Sequence, residues 1–368
     1  MTTQSLPVVV AGAGIIGASI AYHLARQGRS VIVVEKGEPA QGATADSFAW
    51  INASRGKTPN HYYELNRAGI DAWRALDGEL GGALNVIWGG SVEWGADSAE
   101  TETILTKTEK HRATGYPLEA INAHDLAELE PNIDAGSAEV AVYTPIEGHV
   151  DPVAATHTLL QYAQQLGAVL RTDCAIVGLI RPNNQLQAVE TTQGTIETEQ
   201  LVIACGNGSP QIAAYAGIDV PMQESPGVLA HSAPSPALIN RVVLSPHGHM
   251  KQKPDGRILI GSSFSGTEGT DDSIDTGRRQ FDHAAQSLPQ LGEVTVEKMT
   301  LGWRVLPADD LPIVGHIGGT TDLYLAVMHS GITLGPLIGR LAAQEIMTGD
   351  AAERLAPYRL ARFSEMGD

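Results

Sequence analysis

The chain has 368 residues, with 42 acidic against 24 basic side chains and a formal net charge of −18. So negative a surface repels a phosphate backbone and anionic lipid, which sets nucleic acid and acidic membranes aside as partners while leaving room for a locally positive pocket. With 43% apolar residues and 40 glycines, the composition also excludes intrinsic disorder, and the length predicts two to three structural units.

Two cysteines, Cys174 and Cys205, are too few for a disulfide framework and predict a reduced, cytoplasmic setting. The apolar stretch from Leu6 to Ala18 has no basic leader and no cleavage signature, and glycines interrupt it. Neither a signal peptide nor a transmembrane segment is expected there.

From the amino terminus, Val8-Val9-Val10-Ala11 is a continuous apolar run, as in a parallel strand buried on both faces. Gly12-Ala13-Gly14-Ile15-Ile16-Gly17 follows, then a helical pattern through Ala21, Leu24 and Ala25, stopped by Gly28. A second β-branched run, Val31-Ile32-Val33-Val34, ends in Glu35 and Lys36. Strand, Gly-x-Gly-x-x-Gly, helix, strand and acid together predict a dinucleotide site. Gly12 permits the sharp turn, Gly14 admits a pyrophosphate to the backbone, and Gly17 lets the helix press on the strand. The helix start at Ile15 and Ile16 offers free N–H groups and a partial positive charge. Glu35 is spaced to accept hydrogen bonds from a ribose with a free 2′-hydroxyl, which favours FAD or NAD over NADP.

Further along stand Gln41-Gly42-Ala43-Thr44-Ala45-Asp46-Ser47 and Asn52-Ala53-Ser54-Arg55. Glu147-Gly148-His149-Val150-Asp151-Pro152 then leads into a helix predicted from about Val153 to Leu166. Leu201-Val202-Ile203-Ala204-Cys205-Gly206 reads as another buried strand and turn. The tail carries Gly302-Trp303-Arg304, Asp309-Asp310-Leu311-Pro312-Ile313-Val314-Gly315 and His329-Ser330-Gly331-Ile332-Thr333-Leu334-Gly335-Pro336. A last helix is predicted from about Pro336 to Thr348, and Asp255-Gly256 predicts a hairpin turn before the strand Arg257-Ile258-Leu259-Ile260.

In this order and spacing the chain resembles the D-amino-acid oxidase family of flavoproteins, which includes glycine oxidase and monomeric sarcosine oxidase. The resemblance implies an α/β fold: a Rossmann-like FAD-binding domain interleaved with a substrate domain built on a mixed, mostly antiparallel sheet (α+β). The FAD-binding domain would take residues 1–80, 148–215 and 300–368, and the substrate domain 81–147 and 216–299. The cofactor implied is FAD. Thr44, Ala45 and Ser47 would meet the pyrophosphate and ribityl chain, the backbone of Ile176 would pair with adenine, and Gly206 would touch the cofactor. Gly331, Ile332, Thr333 and Leu334 match the loop and helix start beside the flavin ring, whose anionic reduced form suits a helix N-terminus. His329, just before that loop, is implied to be a polar residue close to the flavin.

On the substrate side the resemblance points to Arg304, whose planar fork suits a carboxylate. Val305 follows it where relatives have proline. His249 and Lys251, two apart and therefore on one strand face, match residues lining the flavin's substrate side. Lys251 would help the reaction with oxygen, and Arg55 is a further candidate. Gly302 stands where sarcosine oxidase has a flavin-tethering cysteine, so FAD is expected to be non-covalent. Cys205, at a buried strand end, reads as a small core residue. No His, Cys or carboxylate cluster has metal-ligand spacing, so no metal is expected.

The function implied is oxidation of a small amine bearing a carboxylate, such as glycine, an N-methyl, a cyclic or a D-amino acid. A hydride would pass to flavin N5, an imine would be released, and the electrons would go to oxygen or another acceptor. Two alternatives share the fold: a 2-hydroxy-acid dehydrogenase, and a redox or assembly protein that holds FAD without turnover.

Overall fold

The computed structural model describes residues 5–55, 57–261 and 270–364. Its first layer is a six-stranded sheet in the order Ile313–His316, Leu323–Val327, Gln200–Ile203, Val8–Ala11, Val31–Val34, Val169–Arg171. All neighbours are parallel except Ile313–His316, which runs antiparallel on Leu323–Val327. The opening strand is buried on both faces, as the unbroken apolar run predicts. Val8 and Val10 pack with the helices Ile15–Arg26, Pro152–Gln165 and Gly331–Thr348, whereas Val9 and Ala11 pack toward the three-stranded antiparallel sheet of Ile176–Ile180, Ala188–Thr191 and Gly194–Glu197. Alternation along one strand thus serves two cores.

A second, eight-stranded sheet has the order Val296–Trp303, Pro226–Ser232, Ile258–Gly261, Gly248–Gln252, Val242–Ser245, Ser91–Glu93, Val140–Thr144, Glu119–Asn122. It is antiparallel except where Val242–Ser245 lies parallel to Ser91–Glu93. The helix Ile274–Ala284 packs on it through Phe281 and Ala284, which join Ala230, Met250 and Ile260 in one core. The predicted Asp255-Gly256 turn closes the hairpin between Gly248–Gln252 and Ile258–Gly261, with Gly256 at φ +86°. The edge strand Val296–Trp303 runs through position 300 and brings Trp303 to the cavity wall.

The terminal helix begins earlier than the sequence predicts, at Gly331 rather than about Pro336. A proline in the second turn lacks the N–H that would reach the carbonyl of Ile332. Trp73, fully buried on the helix Asn60–Glu79, supplies the missing donor: its Nε1–H reaches the Ile332 carbonyl at 2.7 Å. A tertiary hydrogen bond thus allows the helix to continue through Pro336. No helix among the described residues is long and apolar enough to cross a membrane.

Candidate active site

A cavity of about 1080 Å³ runs from the glycine turn after the first strand to the gap between the two sheets. At its inner end the conformation of the turn demands glycine. Gly12 has φ +100°, and a Cβ there would lie 2.5 Å from the Ala204 carbonyl oxygen. At Gly17 a Cβ would fall 1.9 Å from the Gly12 carbonyl oxygen, so Gly17 serves the contact between helix and strand and does not face the cavity. Gly14 does face it; a Cβ there would meet only the Thr44 hydroxyl, at 3.1 Å.

The helix Ile15–Arg26 has no side-chain cap from Gly14 and no acid in its first turn, and Ile15 and Ile16 line the cavity. The Ile15 N–H is held by Thr44 Oγ1 at 3.2 Å. Glu35 braces the turn by accepting the Ala13 N–H at 2.9 Å and the Gly37 N–H at 3.2 Å, and both Glu35 and Lys36 are in the wall. A helix end with no acid in its first turn, a bare glycine and an acid at the next strand's end are the donor and acceptor set that a dinucleotide's phosphates and ribose require. The residues present therefore fit FAD.

Of the second loop, Thr44 and Ser47 line the cavity and Ala45 does not. Ile176 and Gly206 are in the wall, the latter at φ +56°. Gly302 is too; a Cβ there would lie 2.5 Å from that of Asp46, so the two chain segments pass in close contact. Cys174 and Cys205 also border the cavity, and burial, followed by the Glu35 charge, pushes the Cys205 thiol up to about 12. Such a thiol is a weak nucleophile at neutral pH.

At the outer end, Gly331, Ile332 and Thr333 are in the wall, while Leu334 is turned into the helix core. Ser330 caps the terminal helix in a left-handed conformation, φ 57°, with its own hydroxyl unused as a cap. That hydroxyl instead receives Lys57 Nζ at 2.5 Å and the Tyr62 OH at 2.9 Å. His329 lies next to it, lining the cavity. Burial, then the charges of Lys57 and Arg304, push its imidazole down to about 3, so it is neutral at physiological pH.

Arg304 enters from the end of the edge strand. Its Nη1 donates to the Pro226 carbonyl at 2.6 Å and to Ser225 Oγ at 3.3 Å. The guanidinium lies against Gly227, where a Cβ would stand 2.7 Å from Nη2. No carboxylate among the described residues pairs with it. Opposite, His249 lines the cavity with Nε2 3.0 Å from Arg55 Nη1, and Arg55 in turn pairs with Glu93 at 2.9 Å. Burial and then Arg55 push His249 down to about 4.

Lys251, on the same strand, is fully buried with Nζ donating to the Val150 carbonyl at 3.0 Å, outside the cavity wall. Burial lowers it to about 7. Arg55 is likewise outside the cavity wall, with its side chain about a third exposed. The structure thus brings His249, Arg304 and His329 to one chamber and leaves Lys251, buried, and Arg55, partly exposed, outside its wall.

Two contributors escaped the sequence reading. Lys57 is buried in the wall, and burial lowers its ammonium to about 8. A lysine in a polar loop reads as solvated, and no local pattern marks this one. Glu147, fully buried, accepts the Tyr116 OH and the Ser91 hydroxyl, each at 2.7 Å, and the N–H groups of Ala53 and Ser54 at 3.3 and 3.1 Å. It pins the loop that carries Arg55 and Lys57. The unbroken Glu147-to-Pro152 motif was its only signal. No group of three or more metal-ligating side chains occurs among the described residues.

Known proteins share this architecture. A family model described as FAD dependent oxidoreductase matches residues 7–345. The chain is similar to a glycine oxidase of Geobacillus kaustophilus, 27% identical with 98% of each chain covered. It is also similar to a formaldehyde-forming 4-methylaminobutanoate oxidase of Paenarthrobacter nicotinovorans, 26% identical over 97% of this chain and 45% of that longer one. Among solved structures, an L-proline dehydrogenase from P. horikoshii superposes with a TM-score of 0.87 over 99% of each chain at 24% identity, which shows the shared fold. These relatives are oxidases and dehydrogenases of amino acids and amines, and flavin is the cofactor the family implies. The chain belongs to the DAO family of FAD dependent oxidoreductases.

Proposed function

We propose that this oxidoreductase removes two electrons from a small amine that bears a carboxylate, with FAD held non-covalently. Substrates in this class are glycine, N-methyl, cyclic and D-amino acids. The single observation carrying the reading is Arg304: a guanidinium in the cavity wall whose partners are a carbonyl and a hydroxyl, with no protein carboxylate among the described residues. Its fork is free to take a substrate carboxylate in two parallel hydrogen bonds and so fix the neighbouring carbon.

When bound, flavin supplies the acceptor for the hydride lost from the carbon next to nitrogen. The nitrogen loses a proton as the C=N bond forms, and water then splits the imine into a carbonyl compound and an amine. The amine must react unprotonated, and the chamber favours that form. His329 and His249 are neutral, and the cations Arg304 and Lys57 disfavour a further positive charge. Ile15, Thr44 and Glu35 would hold the dinucleotide half, and the helix end at Gly331–Thr333 would face negative charge on the ring. Gly302 at the tether position and the high thiol of Cys205 support non-covalent binding.

The division of labour follows. The six-stranded sheet, with residues 1–80, 148–215 and 300–368, forms the FAD-binding half, and the eight-stranded sheet, with 81–147 and 216–299, forms the substrate half. Oxygen or another acceptor reoxidises the flavin, with Lys251, one layer behind His249, as the candidate helper. The two free cysteines support a reducing, cytoplasmic setting.

The test is anaerobic bleaching of the flavin by a library of amines and 2-hydroxy acids, repeated on Arg304→Ala. Bleaching by carboxylate-bearing amines, with affinity lowered about 100-fold in the variant, is expected. Bleaching by hydroxy acids alone, or by nothing, overturns the reading, and so does full affinity in the variant.

A further inference from the structure

The second cation in the chamber extends this reading. Lys57 is as buried as a core residue, at 9% exposure, yet among the described residues its ammonium donates only to the Ser330 hydroxyl, with the Tyr62 ring centre 5.7 Å away. The negative charge that acts on it is Glu147, and both oxygens of that carboxylate are already engaged by Tyr116, Ser91 and the 53–54 backbone. Scarcity of acids does not explain this, since the chain has 42 acids for 24 cations. Other half-buried cations have found acids: Arg55 with Glu93, Arg181 with Asp322, Arg241 with Glu130, Lys253 with Asp151, Arg359 with Glu345. Among the described residues, Lys57 and Arg304 are the exceptions that are both withdrawn from solvent and set in the cavity wall. Both lie close enough to His329 to act on its charge, one from the Ser330 side and one from the Pro226 side. Burying an unpaired ammonium is costly unless an anion completes it.

We propose that the substrate carries two carboxylates, Arg304 binding the one beside the reacting carbon and Lys57, with the Ser330 hydroxyl, binding the second. The substrate class is then an amino- or imino-dicarboxylate. The oxidation is the one already described, with no further electrons or protons involved, so the claim deepens the carboxylate-amine reading and rests on it. Lys57 is here the specificity-determining residue, and it rejects monocarboxylic amines by leaving its own charge unmatched.

Inert acids test this directly. The purified flavoprotein is titrated with linear diacids from malonate to adipate and with the matching monoacids acetate to valerate, binding being read by perturbation of the flavin spectrum and by thermal shift. One diacid length should bind at least about tenfold more tightly than its monoacid. Lys57→Met should abolish that difference by weakening diacid binding far more than monoacid binding, and Lys57→Arg should retain it. Flavin content and circular dichroism check that each variant folds. Equal binding of diacids and monoacids by the native protein overturns the proposal. So does an equal loss for both acid types in Lys57→Met, which would assign Lys57 to the flavin instead. If monocarboxylic amines bleach the flavin without any diacid preference, only this inference fails. If no carboxylate-bearing amine bleaches it, the broader reading fails as well.

Discussion

Arg55 and His249 meet at 3.0 Å through Nη1 and Nε2. A guanidinium can only donate, so Nε2 must be the acceptor and the imidazole must carry its proton on Nδ1. Glu93 holds Arg55 in place at 2.9 Å. The cavity therefore receives a neutral histidine of one defined tautomer, set by a residue that does not itself reach the cavity.

Removing that donor should relax the tautomer preference imposed at Nε2 and raise the histidine. In Arg55→Met, the His249 imidazole is expected to titrate about one unit higher than its present value near 4. Nitrogen-15 NMR of labelled histidine reads both properties. An Nε2–H imidazole in the native protein would contradict the assignment.

Gly12→Ala should cost the protein its flavin. The new Cβ would sit 2.5 Å from a backbone oxygen that cannot step aside, at a φ of +100° that alanine rarely adopts. The ratio of visible flavin absorbance to protein absorbance after purification is expected to fall severalfold. A fully loaded variant would show that the turn tolerates the strain.

Trp73 and Pro336 should be energetically coupled. Trp73→Phe leaves the Ile332 carbonyl without a donor and opens a small cavity, a loss of about 3 kcal/mol. Pro336→Ala restores a backbone N–H to that carbonyl, so the double variant should lose about 1 kcal/mol less than the two single losses together. Thermal and urea unfolding of the four proteins measure it; strict additivity would deny the link.

Acid should weaken the fold partly through buried histidines. Burial first, then Arg26 and Arg340, pull His23 from 6.5 to about 4. Between those values the unfolded chain binds a proton that the folded chain refuses, so stability present above pH 6.5 is lost as pH falls toward 4. His231 and His249, also near 4, act with the same sign. His23→Leu should flatten the slope of melting temperature against pH in that window. An unchanged slope would mean that His23 is protonated in the folded state.

The dinucleotide end of the site was legible in the residues because its physics is local. An apolar run, three spaced glycines and an acid specify strand, turn and helix end within one stretch of chain. At Gly17 the observed close contact is with backbone that the motif itself supplies. The substrate end was only partly legible. Period-two alternation places His249 and Lys251 on one strand face, yet depth separates them, one at the cavity and one beneath Val150. Pro336 read as a helix start because the donor that lets the helix pass through it lies on a distant helix.

What the amino-acid order determined by itself was the family, the flavin it implies and the candidate carboxylate-binding arginine, each written in short motifs. Only the tertiary structure decided which charges are left for a ligand. Lys57 meets Ser330 across 273 positions of chain, and Glu147 engages Ser54 across 93. Burial and the choice of partner are properties of such long-range contacts, and they decide whether a cation is neutralised within the protein or left to bind an anion from outside.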